Sequence, residues 1–487
     1  MTGIICRRPE VYLSTENRQF FKTVLDAALA NPFSEKRDSA DNSILGISGN
    51  VAQKRLPDVI QEVKKRLSEI KNTSSWSFKK YEDPDRRILL ATSLFLVFHK
   101  SMEYFDAHIV TQKTSPKTSR KFSHAQEVIQ DLESLGFSRD ESIRHIGLFF
   151  QLRRTFFMLT EEIIGESTSI ISLRKKVWNN LYSHNMEWYL EYLLDSMQGF
   201  STLILGETGV GKTSIARVIG CSGFIPYNPE TQEFEHNFMD IFRSINISEY
   251  PPSLVESALF GHKKGAFTSA IEDRSGFFDL SNRYGAIFID ELGETTSDIQ
   301  VKLLNVLQDR TFSPVGSNQI KEFNGRVIAA TNQNIHDLVR EGKFREDLYY
   351  RLCSDIIEIP PLRIRVQENP DELDIILEQI VKRVVPHLSQ NLLSMIQNQL
   401  DKYVGKDYHW PGNIRELEQA IRRICLSGSY RPADLQRETL DVFSGQPTAK
   451  SILESYANHL YLKHGTYEKV SKIMDMDPRT VKKYLQD

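Results

Sequence analysis

The chain has 487 residues, 40% hydrophobic and 26% charged, with a formal net charge of -3. That length exceeds one compact domain and predicts roughly two to four units. The composition excludes a disordered, fibrous or uniformly basic nucleic-acid coat protein and leaves room for a small local DNA-binding patch.

Residues 1–164 are expected to form a mostly helical N-terminal regulatory domain of no recognisable type. Arg18 to Ala30 and Val59 to Ile70 each bring apolar residues to one face at helical spacing. The polar stretches Ser34 to Arg55 and Thr111 to Ser123 read as exposed loops. In the second, Lys113, Lys117, Arg120 and Lys121 lack interleaved aromatic residues, so a solvated loop is the reading rather than a nucleic-acid contact. The longest apolar run, Ile88 to Phe98, is too short to span a bilayer and reads as a buried helix segment. No signal-peptide core is present at the amino terminus. Cys6, Cys221, Cys353 and Cys425 form no CxxC pair, so neither a zinc site nor a disulfide framework is expected. The expected setting is a reducing cytoplasm, with no membrane partner.

From about Gly165 the pattern becomes α/β. Thr202 to Leu205, Ala286 to Ile289 and Arg326 to Ala330 read as buried strands of a parallel sheet. Between the first strand and the helix that starts near Lys212 lies Gly206-Glu207-Thr208-Gly209-Val210-Gly211-Lys212-Thr213, the P-loop pattern GxxxxGK[ST]. Its glycines let backbone N–H groups close around phosphate oxygens. Lys212 would meet the β- and γ-phosphates of ATP, and Thr213 would offer its hydroxyl to Mg²⁺. The second strand ends in Asp290-Glu291, so Asp290 can hold the Mg²⁺ shell and Glu291 can polarise the attacking water. A solvated, idle acidic strand end is the alternative. The third strand ends in Thr331-Asn332, and Asn332 either orients that water or only caps the strand.

The order P-loop, Asp-Glu strand, Thr-Asn strand resembles the AAA+ ATPases. Glu256-Ser-Ala-Leu-Phe-Gly-His-Lys-Lys-Gly265-Ala266-Phe267-Thr268-Ser269-Ala270 is similar to the ESELFGHxxGAFTGA signature of the sigma-54-dependent activators, the bacterial enhancer-binding proteins. Gln300 to Gln308, Phe344 to Leu352, Pro360-Pro-Leu-Arg363 and Trp410-Pro-Gly-Asn-Ile-Arg-Glu-Leu417 match the same family in order. The resemblance covers roughly Gly165 to Ser427. It implies an AAA+ α/β subdomain over 165–365, a helical lid over 366–445, and ATP and Mg²⁺ as cofactors. It implies that Arg345 and Arg351 reach a neighbour's nucleotide in a homo-oligomeric, hexameric ring. It places Arg415 at the second-sensor position and Asn246 where an asparagine restrains the catalytic glutamate. Gly265 to Ala270 becomes the contact with sigma-54 RNA polymerase. There Ser269 replaces the usual glycine, a change that costs on the order of 1 kcal/mol where φ must be positive.

Residues 446–487 resemble a Fis-type helix-turn-helix, with helices over Ser451 to Lys463, Tyr467 to Met474 and Thr480 to Leu485. Arg479, Thr480, Lys482 and Lys483 are the expected contacts to promoter-upstream DNA. Seven Lys/Arg against five Asp/Glu from Pro447 to Asp487 predict weak binding by one copy and a gain from several. A hairpin that only dimerises is the alternative. The sequence therefore predicts a multidomain, ATP-dependent bacterial transcription regulator. A remodeller with another target, and a DNA-binding regulator with an idle ATPase, remain the competing readings.

Overall fold

Serine side chains start several N-terminal helices. Ser14 accepts from the Asn17 N–H at the head of Thr15–Leu29, and Ser138 and Glu141 form a reciprocal capping box on Arg139–Glu162. The computed structural model describes residues 12–47, 55–72, 78–115, 120–268, 270–385, 390–405, 408–432, 449–464 and 466–485. Lys117, Ser269 and the expected loop around Ser444 to Pro447 lie outside those residues. The chain divides into two units: Met1–Ile376 with Gly412–Ile414, and Leu377–Pro411 with Arg415–Asp487.

In the first unit the helices Thr15–Leu29, Leu56–Asn72 and Asp85–Lys100 occupy the expected places. Both expected loops need correction. Ser34 to Arg55 contains the helix Glu35–Leu45, capped by the Ser34 side chain at one end and by Gly46 at φ 68° at the other. It buries Ala40, Asp41 and Ile44 only, too few apolar residues to show a periodic stripe. Thr111 to Ser123 begins inside the helix Met102–Thr114 and buries Gln112 and Phe122. Among its described basic residues Arg120 and Lys121 are exposed, as expected of a solvated loop; Arg120 pairs with Glu233 at 3.1 Å and Lys113 with Glu161.

Five parallel strands form the central sheet: β1 (Thr202–Leu205), β2 (Phe242–Asn246), β3 (Ala286–Asp290), β4 (Arg326–Thr331) and β5 (Asp355–Glu358), in the order β5-β1-β4-β3-β2. Alternate residues of each strand feed two cores. Leu203, Ile287, Ile289, Val327 and Ala329 face one; Ile204, Ala286, Phe288, Ile328 and Ala330 face the other. That second core continues without a break into Phe105, Phe150 and Leu159 of the N-terminal helices and Phe122 between two of them, so no packing boundary falls at residue 164. Arg154 is fully buried in this seam, 4.4 Å from the Phe150 ring centroid and 5.4 Å from that of Phe238.

At the starts of the strands, Asn180 of the helix Thr168–Tyr182 ties the layers together. Its Nδ2 donates to Asp355 at 2.7 Å and to Thr202 at 3.1 Å, while Arg326 donates to its Oδ1 at 2.8 Å. The opposite, C-terminal strand ends are thereby left to the loops that carry chemistry.

His108 sits among Phe122, Phe150 and Phe234, and its burial lowers its pKa from 6.5 to about 4. The unfolded chain therefore takes up this proton first as pH falls from about 6.5 towards 4. Stability is lost through that window, on the order of a few kcal/mol at its acid end. In urea titrations across this range, His108→Gln is expected to flatten the loss; an unchanged slope would assign it to other groups.

In the second unit, helices over Gln390–Tyr403 and Asn413–Ser427 bury Ile396, Leu400, Leu417, Ala420, Ile421 and Ile424. Three further helices, Ala449–His464, Tyr467–Met474 and Pro478–Tyr484, close on Leu460, Val470 and Val481. Asp475 turns the chain at φ 51°, and the Asp477 side chain caps the last helix with Pro478 in its first turn. Among the described residues no single helix is long and apolar enough to cross a membrane. The pair Asp85–Lys100 and Met102–Thr114 passes that test only together, bent by 48°, and its buried residues belong to the core.

Candidate functional site

The chain leaves β1 at Leu205, turns through Gly206 to Gly211, and enters the helix Lys212–Gly220. Gly209 and Gly211 have φ of 82° and 106°, the left-handed region where a side chain is strained, so these two glycines are required by this turn. Lys212 is buried and folds back over the loop, its Nζ donating to the Gly206 carbonyl at 3.0 Å and the Glu207 carbonyl at 3.3 Å. Thr213 is exposed in the first helical turn.

β3 delivers Asp290 beside Asn246 of β2, the two being partners in the parallel register. Glu291 follows in a left-handed conformation, φ 54° and ψ 45°, a strain of about 1 kcal/mol or more that turns the chain sharply at the strand end. Burial raises the Glu291 carboxyl pKa and the Asp290 charge adds to it, against Lys212 and the Asn332 backbone N–H, which favour the charged form. A carboxylate so tuned suits a general base better than an ordinary glutamate does. Asn332, at the end of β4, donates from Nδ2 to the Thr208 hydroxyl at 3.0 Å. Three strand ends thus converge on the P-loop. Asn246 does not bond to Glu291; its Oδ1 accepts from the Ser248 N–H at 3.0 Å.

Sequence reasoning missed a clamp on the P-loop. Arg363 grips the Glu207 carboxylate with both terminal nitrogens, at 2.8 and 2.5 Å. Asn413 is buried and donates to Glu207 Oε2 and to the Thr208 carbonyl, both at 3.1 Å, while its Oδ1 accepts from the Leu362 N–H at 2.8 Å. The signal lay in Pro360-Pro-Leu-Arg363 and Trp410-Pro-Gly-Asn413, where a charge and an amide had no assigned partner.

Arg345 stands at the N-cap of the helix Glu346–Leu352 and Arg351 in its last turn, both exposed. Arg345 holds Asp347 at 2.7 Å in a pair open to solvent, worth little to the fold and easily exchanged. The Arg351 side chain pairs with none of the described residues. Arg415 is exposed at the start of the Asn413–Ser427 helix, in the second unit.

Gly265 to Ala270 forms the tip of a loop closed by Gly265 N–H to the Ala270 carbonyl at 2.8 Å and Ala270 N–H to the Phe267 carbonyl at 2.9 Å. Phe267 is half-buried against the His262 ring, 4.9 Å between centroids, and Thr268 is exposed. Phe267 is therefore not taken into the core. A second hairpin, Thr311–Phe312 with Lys321–Glu322, packs beside it. A Cβ on Gly316 would come within 2.6 Å of Ala266 Cβ, so the approach needs that glycine. In the second unit, Arg479, Thr480, Lys482 and Lys483 are all exposed on Pro478–Tyr484, while Val481 between them is buried.

Residues 185–358 match the sigma-54 interaction domain family. The matched segment is similar to the sigma-54 interaction domains. It holds the P-loop, Asp290, Glu291, Asn332, both arginines and the Gly265 to Ala270 loop. Among curated relatives, VnfA, a nitrogen fixation protein of Azotobacter vinelandii, is 42% identical over 246 residues, 48% of this chain and 43% of its own. The hydrogenase transcriptional regulatory protein HoxA of Cupriavidus necator is 40% identical over 245 residues, covering 50% and 47%. The HTH-type transcriptional regulatory protein TyrR of Enterobacter agglomerans is 33% identical over 313 residues, covering 60% and 55%. The chain spans about half the length of the curated relatives it matches.

Proposed function

We propose that the chain is an ATP-driven transcriptional activator that binds DNA through its C-terminal helices and remodels sigma-54 RNA polymerase closed complexes. The observation that carries this reading is the convergence of Lys212, Asp290, Glu291 and Asn332 on one P-loop, in the same domain that presents the exposed Thr268 tip. The left-handed glycines leave open space where a Cβ at Gly211 would project, which suits a phosphate chain. Bound ATP with Mg²⁺ supplies the phosphoanhydride bond whose hydrolysis drives the cycle, and Lys212, Thr213 and Asp290 are the residues that would hold it. Glu291 accepts a proton from the attacking water at a carboxylate oxygen, and Asn332 keeps that strand end registered on the loop. Arg345 and Arg351 serve the site of the next subunit in a ring, hexameric by family resemblance. Residues 366–445 act as the lid, with Arg415 as its second sensor. Exposed Arg479, Thr480, Lys482 and Lys483 suit phosphate and groove contacts with promoter-upstream DNA.

A second reading, remodelling of a target other than sigma-54, is favoured by Ser269 in place of glycine. One comparison separates the two. With ADP and aluminium fluoride as the transition-state analogue, the parent should bind sigma-54, and Thr268→Ala should lose that binding while ATP turnover stays near normal. Ser269→Gly should keep or improve it. If neither the parent nor Ser269→Gly engages sigma-54, the second reading stands.

A further inference from the structure

The N-terminal helices surround a cavity of about 440 Å³ that is no part of the nucleotide site. Its walls are mainly apolar and aromatic, among them Phe33, Phe98, Phe149, Phe156 and Trp178. Phe33 and Phe156 stack with centroids 5.5 Å apart, and Trp178 meets Phe33 edge-on at 6.3 Å. This size and lining are those of small-molecule pockets, which pair an apolar body with a few fixed polar groups.

Of the polar groups in its walls, Arg37, Asp38 and Asp41 stand on the Glu35–Leu45 helix, and His99, Arg153, Thr160 and Arg174 on other helices. Asp41 lines the cavity and is 6% exposed. Its Oδ2 accepts from Arg37 Nε at 2.8 Å, while its buried Oδ1 has no hydrogen-bond partner. Such an oxygen is uncommon in folded proteins; it has almost no accessible surface, so the Asp41 carboxylate must turn for a donor in the cavity to reach it. The other cations around the cavity are committed elsewhere. Arg153 grips Asp106 at 2.5 and 2.7 Å, and Arg174 donates to the Ile163 and Gly165 carbonyls. Arg37 also serves the Ala27 carbonyl at 3.2 Å. Asp38 adds a second carboxylate to this wall, and Arg37 pairs with Asp41.

We propose that this cavity binds a compact hydrophobic molecule ending in a hydrogen-bond donor, an amine or a hydroxyl, which Asp41 receives while the apolar body lies against Phe33 and Trp178. The site is connected to the ATPase sheet. Trp178 lines the cavity, and two residues further along the same helix Asn180 holds the starts of β1 and β5. An occupant therefore touches the element that fixes the sheet to the helical layer.

The test uses the full chain and four probes of similar shape: 2-phenylethylamine, 2-phenylethanol, propylbenzene and 3-phenylpropionate. Calorimetry and thermal unfolding read binding without reference to ATP turnover, so the result is independent of the ATPase reading. The amine and the alcohol should bind about tenfold or more tightly than propylbenzene, the scale of one added hydrogen bond to a charged acceptor. The carboxylate probe should not bind. In Asp41→Asn, which keeps the shape but replaces an acceptor by a donor, the advantage of the amine and the alcohol over propylbenzene should shrink to about twofold or less. Should that variant not fold, the ladder on the parent chain decides alone. Absence of binding by every probe, or propylbenzene binding the parent as tightly as the amine, would overturn the proposal.

Discussion

Arg351→Ala is expected to lower ATP turnover by about 10³-fold or more while nucleotide binding persists. The scale follows from the charge developed on a transferring phosphoryl group, which a guanidinium delivered from outside stabilises in a water-poor site. Arg351 is suited to that delivery, since it is exposed and its side chain pairs with none of the described residues. Arg345 differs, because it must first leave Asp347, whose carboxyl it holds below the ordinary range. Its replacement should therefore cost turnover too, with the Asp347 pair lost at little expense to stability. Complementation provides the decisive measurement. Mixing Arg351→Ala with Glu291→Gln protomers should restore part of the activity, because each subunit supplies what its neighbour lacks. Mixed assemblies without rescue would place Arg351 in service of its own chain.

Glu291→Gln should retain ATP affinity and lose turnover by about 10²-fold or more, the usual contribution of a positioned base. The sign of the pH dependence follows from the direction of its pKa. Glu291 works deprotonated, and burial with the Asp290 charge lifts its pKa above the ordinary 4.5. Turnover should then fall as pH drops through that raised value, at higher pH than an unperturbed glutamate would give. Lys212→Ala is unsuited to this comparison, because it removes phosphate binding together with one of the groups that favour ionised Glu291. A Glu291→Gln protein turning over within a few-fold of the parent would transfer the role of base to another residue.

The candidate nucleotide site's geometry was legible in the sequence because its parts are local. Gly206 to Thr213 carries its own turn geometry, and Asp290-Glu291 closes an apolar strand, so residue order alone implied the arrangement. Long-range partners were not legible. Glu207 meets Asn413 across more than two hundred residues, and nothing in either motif names the other. Asn246 illustrates the reverse problem: only the family resemblance singled it out, and neither its register with Asp290 nor its side-chain bond to the Ser248 N–H was readable from the pattern. The Glu35–Leu45 helix was hidden for a different reason, its stability resting on two good ends and a buried ion pair rather than an apolar stripe.

The core that runs past residue 164 bears on heredity as well as on mechanics. The family match begins at residue 185, yet the packed interior it belongs to reaches back to Phe33. Phe150 lies flat against Phe234 at 4.1 Å, and Gln151 donates across the seam to the Ser222 carbonyl at 2.9 Å. A recombination event that exchanged the leading helices for those of a relative would leave these rings and amides facing unmatched neighbours. Such a chimera should keep its stability only if Phe234, Phe238 and Ser222 are exchanged together with residues more than seventy positions earlier in the gene.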